Sequence, residues 1–256
     1  MHLNTHNNST TNEINIIPII AIDGTTASGK GTIARRLAKH YSYNYLNSGA
    51  LYRLAAYILQ KQNFDFERYN TLRKQEQFET EEYKAMEQQV INAGANLSPI
   101  FLDKQVLVDG TDIWTAISTQ EYGNYAARIS PTKDLRVAIH DFQRSCIKLP
   151  GLVAEGRDMT GVVFVDAICK IYMDGTAEER AKRRLIDEQK EISGCNKTLE
   201  NVLSEVIERD EKDKNRFSGA LTLTEDSYYL DTTNKSIEEV LEEAILYCNS
   251  KLQPNN

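Results

Sequence analysis

Residues 19–32 read Ile19-Ile20-Ala21-Ile22-Asp23-Gly24-Thr25-Thr26-Ala27-Ser28-Gly29-Lys30-Gly31-Thr32. An apolar run stops at Asp23. A loop bounded by Gly24 and Gly29 follows, and it ends in Gly-Lys at the start of a helical pattern. The spacing is G-x-x-x-x-G-K, that of a phosphate-binding loop. Glycines let the backbone turn tightly, so that its N–H groups point inward at phosphate oxygens. The N-terminus of the next helix adds partial positive charge, and Lys30 supplies a point charge for β- and γ-phosphates. An isolated motif of this kind also describes an ordinary glycine-rich turn. The strand before it and the helix after it are the context that favours the phosphate reading. The eighth position departs from the usual Ser or Thr: it is Gly31, and the hydroxyl comes one residue later, at Thr32.

Working outward, residues 16–22 are expected as the first strand, with Pro18 tolerated near its start. The helix after the loop carries Ile33, Ala34, Leu37 and Ala38 on one face. Tyr43 to Leu46 is a short second strand. Leu51, Leu54, Ala55, Ile58 and Leu59 recur at i, i+3, i+4, i+7 and i+8, which predicts a second helix. From Asn63 to Gly94 the chain becomes charged and glutamine-rich, and Ile100–Leu102 and Val106–Val108 flank Asp103-Lys104 as a hairpin. The regular alternation resumes with a helix through Leu135, Ala138, Ile139, Phe142 and Cys146. Strands follow at Leu152-Val153-Ala154 and at Cys169 to Met173. Thr176 and Glu179 form a capping box before a basic helix. Leu199, Val202, Leu203, Val206 and Ile207 mark another helix, and Tyr228-Tyr229-Leu230 the last strand. Ser236 and Glu239 cap a final helix that turns Ile237, Val240, Leu241, Ala244, Ile245 and Cys248 inward. Strands alternating with helices predict an α/β fold, a parallel sheet flanked by helices, with ligands at the carboxyl ends of its strands.

The 256 residues suffice for one large domain or one domain with an insert. Hydrophobic and charged contents of 41% and 26% are those of a soluble globular protein. The net charge of −7 argues against non-specific nucleic-acid binding, although local arginine clusters still permit an anionic substrate. No apolar run approaches a membrane span. The four cysteines, Cys146, Cys169, Cys195 and Cys248, have no metal-ligand spacing and suit reduced thiols in a cytoplasmic protein. Residues 1–15, rich in Asn and Thr, have neither a basic start nor an apolar core. They read as a disordered extension and not a signal peptide.

Three further stretches carry chemistry: Tyr45-Leu46-Asn47-Ser48-Gly49-Ala50-Leu51-Tyr52-Arg53, Leu149 to Asp158 with its Glu155-Gly156-Arg157-Asp158, and Glu208 to Arg216. Arg53 opens a helix beside a Ser-Gly turn, and Gly156-Arg157-Asp158 follows a buried strand at the ligand edge of the sheet. Arg209, Asp213 and Arg216 share one helix face, as do Arg180, Arg183 and Arg184. Each group by itself also reads as a solvated charge face or a local ion pair. Taken together with the Gly-Lys-Gly-Thr ending of the loop, they make the chain resemble the bacterial-type cytidylate (CMP) kinases, a branch of the nucleoside monophosphate kinases. The resemblance runs from about Ile16 to Leu252.

That resemblance implies a P-loop NTPase-type fold over residues 16–254, with a core of 16–62 and 132–254. It adds a monophosphate-binding insert at about 63–131 and a small helical lid at about 176–197. It implies phosphoryl transfer from ATP, with Mg²⁺, to CMP and dCMP, by a monomer. Gly24, Thr25, Thr26, Ala27, Ser28, Gly29, Lys30, Gly31 and Thr32 would hold the donor, with Thr32 as an available metal ligand. Arg53, Arg157 and Arg216 would hold the acceptor phosphate, and Arg209 and Asp213 its sugar. Ser48, Tyr52, Arg136 and Asp158 would complete the acceptor site, the last two at the base. Arg180, Arg183 and Arg184 would be the lid arginines that meet charge on the transferring group. Four positions break the pattern: Asn47 and Glu155 stand where Asp is usual, Thr160-Gly161 reverses Gly-Thr, and Ala127 replaces a serine that touches the base. The last leaves UMP alongside CMP as an alternative acceptor, and a non-catalytic nucleotide binder is the reading outside the enzymes.

Overall fold

The computed structural model describes residues 16–191, 197–215 and 219–252. The chain runs β1 (Ile19–Gly24), α1 (Lys30–Tyr41), β2 (Asn44–Asn47), α2 (Ser48–Lys61), α3 (Phe66–Lys74), α4 (Glu81–Ala95), β3 (Ile100–Leu102), β4 (Gln105–Val108), β5 (Thr111–Asp112), α5 (Trp114–Ile117) and α6 (Gln120–Ile129). It continues with α7 (Lys133–Ser145), β6 (Leu152–Glu155), one π-helical turn (Met159–Val163), β7 (Cys169–Asp174), α8 (Ala177–Glu191), α9 (Leu199–Lys214), β8 (Tyr228–Asp231) and α10 (Ile237–Leu252).

All six residues of β1 are buried. A continuous apolar run is what a parallel strand covered on both faces requires, and β1 is the central strand of the parallel sheet β2-β6-β1-β7-β8. Ile19 to Ile22 pair with Leu152 to Glu155, and Ile20 to Gly24 with Cys169 to Met173. Alternate side chains of β1 enter two separate cores. Ile19 and Ala21 pack with Leu46, Leu54, Tyr69 and Ile139 on one face; Ile20 and Ile22 pack with Ile33, Leu37, Leu230 and Ala244 on the other. The register sets Gly24, Asn47, Glu155 and Asp174 along one carboxyl edge. The fold is thus the helix-flanked parallel α/β sheet that the alternating pattern predicts, as the P-loop NTPase-type fold implied by the resemblance requires.

Between the two stretches of regular alternation, Phe64, Phe66, Tyr69, Leu72, Tyr83 and Val90 share a core with Leu54 and Ile139. The hairpin exists and gains a third strand, β5, in an antiparallel sheet. Two local expectations are corrected. The box at Thr176 is half-formed: Glu179 N donates to Thr176 Oγ1, while Thr176 N donates to Thr233 Oγ1 at 3.0 Å and the Glu179 carboxylate is taken by Lys182. Ile237, expected inward, is 46% exposed, because it opens α10 at the helix's solvent end. The box at Ser236 and Glu239 is reciprocal, as expected. Cys146, Cys169 and Cys248 are free thiols, and Cys195 lies outside the described residues. Among the described residues, no helix is long and apolar enough to cross a membrane.

Candidate active site

The loop after β1 is bound to β7 before it turns. Thr25 N donates to Met173 O at 3.1 Å, and Thr25 Oγ1 donates to Asp174 Oδ1 at 2.6 Å. A Cβ on Gly24 would stand 2.1 Å from Met173 O, so only glycine admits this approach. Gly29 caps α1 at φ 84, the left-handed region that glycine enters at least cost. Ser28 Oγ is buried and has no hydrogen-bond partner among the described residues. An orphaned buried hydroxyl is costly, and in a loop of this shape it fits a phosphate oxygen. Lys30 Nζ donates to Thr25 O at 3.0 Å. Burial, and next the Arg157 charge, pull the Lys30 ammonium down to about 7.

Thr26 is held on three sides. Its N–H donates to Asp210 Oδ1 at 2.9 Å, its carbonyl accepts from Arg180 Nη1 at 2.8 Å, and its hydroxyl accepts from Arg157 Nη2 at 2.9 Å. Arg157 also donates from Nη1 to Gly24 O at 2.6 Å and from Nε to the fully buried Asp213 at 2.7 Å. One guanidinium therefore touches the loop after β1 while lining the cavity beside it.

That cavity, of about 310 Å³, gathers Lys30, Ser48, Tyr52, Arg53, Arg136, Arg157, Asp158, Arg184 and Arg209 from distant parts of the chain. Arg53, in the second turn of α2, reaches across to donate to Ile117 O at 2.8 Å and Thr119 O at 2.6 Å. Burial lowers its pKa to about 10, helped by the charges of Arg209 and Arg184. Arg136 is paired with Asp158, donates to Tyr52 Oη at 3.2 Å and lies over the Tyr52 ring. Ser48 Oγ accepts from Gln143 Nε2 at 2.8 Å. Arg209 stands 3.4 Å from Asp213.

The three arginines of α8 part company. Arg184 lines the cavity and donates to Gln120 Oε1 at 2.7 Å. Arg180 is buried against the loop, with Asp210 Oδ2 at 2.5 Å and Gly175 O at 2.8 Å. Arg183 donates to Thr232 Oγ1 at 2.9 Å and lines a second cavity of about 430 Å³ with Ala27, Ser28, Gly29 and Thr32. Arg216 lies outside the described residues.

Sequence reading missed Asp210, although it adjoins Arg209 in the quoted run. It also missed Thr232 and Val240 of the second cavity, for which the sequence carries no signal. Nothing in the sequence marks a role for Asp23. It is fully buried and accepts from Met159 N at 2.9 Å, Thr160 N at 2.8 Å and Thr160 Oγ1 at 2.8 Å, and so fixes the turn that follows Arg157-Asp158. Burial raises its pKa to about 6, against the lowering effect of those three donors.

A family model described as cytidylate kinase matches residues 20–250. A cytidylate kinase of Shewanella putrefaciens is 40% identical over 245 residues, covering 93% of this chain and 98% of that protein. One of Nitrosomonas eutropha is 38% identical over 225 residues, covering 88% and 92%. The chain belongs to the cytidylate kinase family. It is a kinase that transfers a phosphoryl group to a nucleoside monophosphate.

Within this cytidylate kinase family member, three of the four departures from pattern have local partners. Asn47 caps α2 by accepting from Ala50 N at 3.0 Å, a task Asn performs as well as Asp. The Glu155 carboxylate lies under α1, 3.4 Å from where a Cβ on Gly31 would stand, and accepts from Tyr45 Oη at 3.4 Å. Thr160 supplies a third donor to Asp23. Ala127 presents only a methyl group to the 310 Å³ cavity.

Proposed function

We propose that the chain transfers the γ-phosphoryl group of ATP to CMP and dCMP, giving ADP with CDP or dCDP. The observation that carries this reading is Arg157, which is bonded to Gly24 O and Thr26 Oγ1 of the donor loop and lines the acceptor cavity at once. A phosphate in the loop and a phosphate in the cavity would meet across one guanidinium.

Phosphoryl transfer asks the protein for alignment and for positive charge, with little covalent chemistry. The loop amides, Ser28 Oγ and Lys30 hold donor phosphates. Arg53 and Arg157, with Arg216, hold the acceptor phosphate by their planar forks, which suit two oxygens at once. Arg184 reaches the same cavity from α8, the expected lid helix. The acceptor oxygen is already an anion at pH 7, so no general base is needed. Arg183 and the second cavity lie on the other side of the loop, where the base of the donor would rest. The insert at 63–131 and the lid at 176–197 would exclude water when closed.

Mg²⁺ fits the residues present. It prefers phosphate oxygens and water with one or two protein ligands. Thr32, which lines the cavity beside Ala27, Ser28 and Gly29, would offer its hydroxyl, and the donor's own oxygens and water would complete the set. When bound, the ion neutralises charge on the β- and γ-phosphates.

At the base, Asp158 offers a carboxylate, which takes a donor such as the 4-amino group of cytosine and opposes the 4-oxo group of uracil. The methyl of Ala127 favours a second reading in which UMP is also accepted. A panel of CMP, dCMP, UMP, AMP and GMP in a coupled ADP-release assay tests both. CMP and dCMP should turn over best; equal turnover of UMP would establish the second reading, and no transfer to any of them would sink both.

A further inference from the structure

The α6 helix forms one wall of the acceptor cavity, and its two ends face different chemistry. Near its start, Gln120 accepts from Arg184, and a Cβ on Gly123 would stand 2.9 Å from Arg53 Nη2. This end faces the phosphate-binding arginines. From Gln120 to Ser130 the helix advances about 15 Å. The wall therefore ends away from those arginines; there the chain turns into α7, whose first turn, with Arg136 N donating to Thr132 O, brings Arg136 into the same cavity. Between the two ends, Gly123, Ala126 and Ala127 offer no polar side-chain atom. Ser130, the residue after α6, lines the cavity at 4% exposure. The one hydrogen bond of its hydroxyl among the described residues, to Ala127 O, is 3.4 Å long. That is well beyond the usual O–H···O distance of about 2.7–2.8 Å.

We propose that Ser130 determines base specificity, its hydroxyl hydrogen-bonding the pyrimidine edge of the acceptor where Ala127 has no atom to offer. The inference rests on CMP being the acceptor. A hydroxyl both donates and accepts and by itself would serve either pyrimidine; because the Asp158 carboxylate takes the 4-amino group of cytosine and opposes the 4-oxo group of uracil, only cytosine seats its edge against Ser130. It sits at the end of a flat wall of small side chains against which a ring can lie. Ala127 and Ser130 are i and i+3 and share one helix face. A hydroxyl moved one turn along that face therefore still borders the cavity.

The test is steady-state transfer to CMP by the full chain, with UMP binding read as inhibition. Ser130→Ala should raise KM for CMP about tenfold with kcat within about threefold, and weaken UMP by less than about threefold. Ser130→Cys, nearly isosteric but a weak hydrogen-bonding group, should do the same and keeps the conclusion safe if the alanine variant folds poorly. Ala127→Ser added to Ser130→Ala should recover most of the loss. Unchanged KM for CMP in both variants, or equal weakening of CMP and UMP, overturns the role of Ser130 and leaves the acceptor standing. Absence of transfer to CMP by the unaltered chain overturns the acceptor and the role of Ser130 together.

Discussion

Asp210 Oδ2 lies 2.5 Å from Arg180 Nη1, while the other oxygen of the same carboxylate accepts the N–H of Thr26 at 2.9 Å. The pair is buried and joins α8 and α9 to the loop after β1. Removing one member of a buried ion pair strands the other, at a cost of about 3–5 kcal/mol. Asp174, 3.7 Å from Arg180, would offset part of that. Asp210→Ala should therefore lower the urea-unfolding free energy by about 2–4 kcal/mol, and Asp210→Asn, which keeps an acceptor for Thr26, by less. A loss under about 1 kcal/mol in the alanine variant would show that the pair carries little of the fold.

Lys30 and Arg157 should dominate turnover. Lys30→Ala removes the point charge of the loop, and Arg157→Ala removes the one group shared by loop and cavity. Each should lower kcat by about 10²–10³-fold, the scale of lost transition-state charge stabilisation. Arg157→Ala should also destabilise the protein, because Asp213 is 0% exposed and loses its 2.7 Å partner. Unchanged rates in either variant would contradict these roles.

Binding of ATP should take up a proton. With the Lys30 pKa drawn down to about 7, roughly nine-tenths of the side chain is neutral at pH 8. The phosphates of ATP favour the ammonium and raise the pKa toward its ordinary value, so the complex holds more protons than the free protein. Calorimetry at pH 8 in two buffers of different ionisation enthalpy should show uptake approaching about one proton per ATP. Lys30→Met should abolish it. Proton release, or uptake that survives in Lys30→Met, would be inconsistent with a neutralised Lys30.

Thr160→Ala tests the anchor beneath the Arg157-Asp158 turn. Asp23 has a folded pKa of about 6, above its unfolded value. Its ionisation therefore removes stability as pH rises through the window from about 4 to 6, and that cost persists at higher pH. Loss of the Thr160 hydroxyl takes a donor from the ionised form. The variant should lose about 1–3 kcal/mol at pH 7 and much less at pH 4, where Asp23 is protonated in both proteins. Thermal unfolding across that range should show the difference; an equal loss at both values would place the effect elsewhere.

Asn47→Ala should cost about 1 kcal/mol by uncapping α2, and Asn47→Asp should stay close to the unaltered chain in stability. Chemical denaturation separates the two. An alanine variant as stable as the unaltered chain would remove Asn47 from the set of caps.

The central strand, the loop and the α/β class were determined by local sequence. A short apolar run such as Ile19 to Ile22, closed by Asp23-Gly24 before a helical pattern, fits a strand buried on both faces, and Gly24 and Gly29 satisfy steric limits that act within a few residues. The motifs at Ser48 to Arg53, Gly156 to Asp158 and Arg209 to Asp213 marked which side chains carry charge. What each charge faces was decided by tertiary structure alone. Arg180, Arg183 and Arg184 share a helix face, yet one clamps the loop, one borders the second cavity and one enters the cavity beside Arg53 and Arg157. Helical spacing sets the face of a long side chain and not its partner. Asp210 took its place because α9 packs on α8, and Ser130 because α6 runs along the wall of the cavity that Arg53 and Arg157 line. Those partners come from residues far apart along the chain, and only packing brings them within hydrogen-bonding distance.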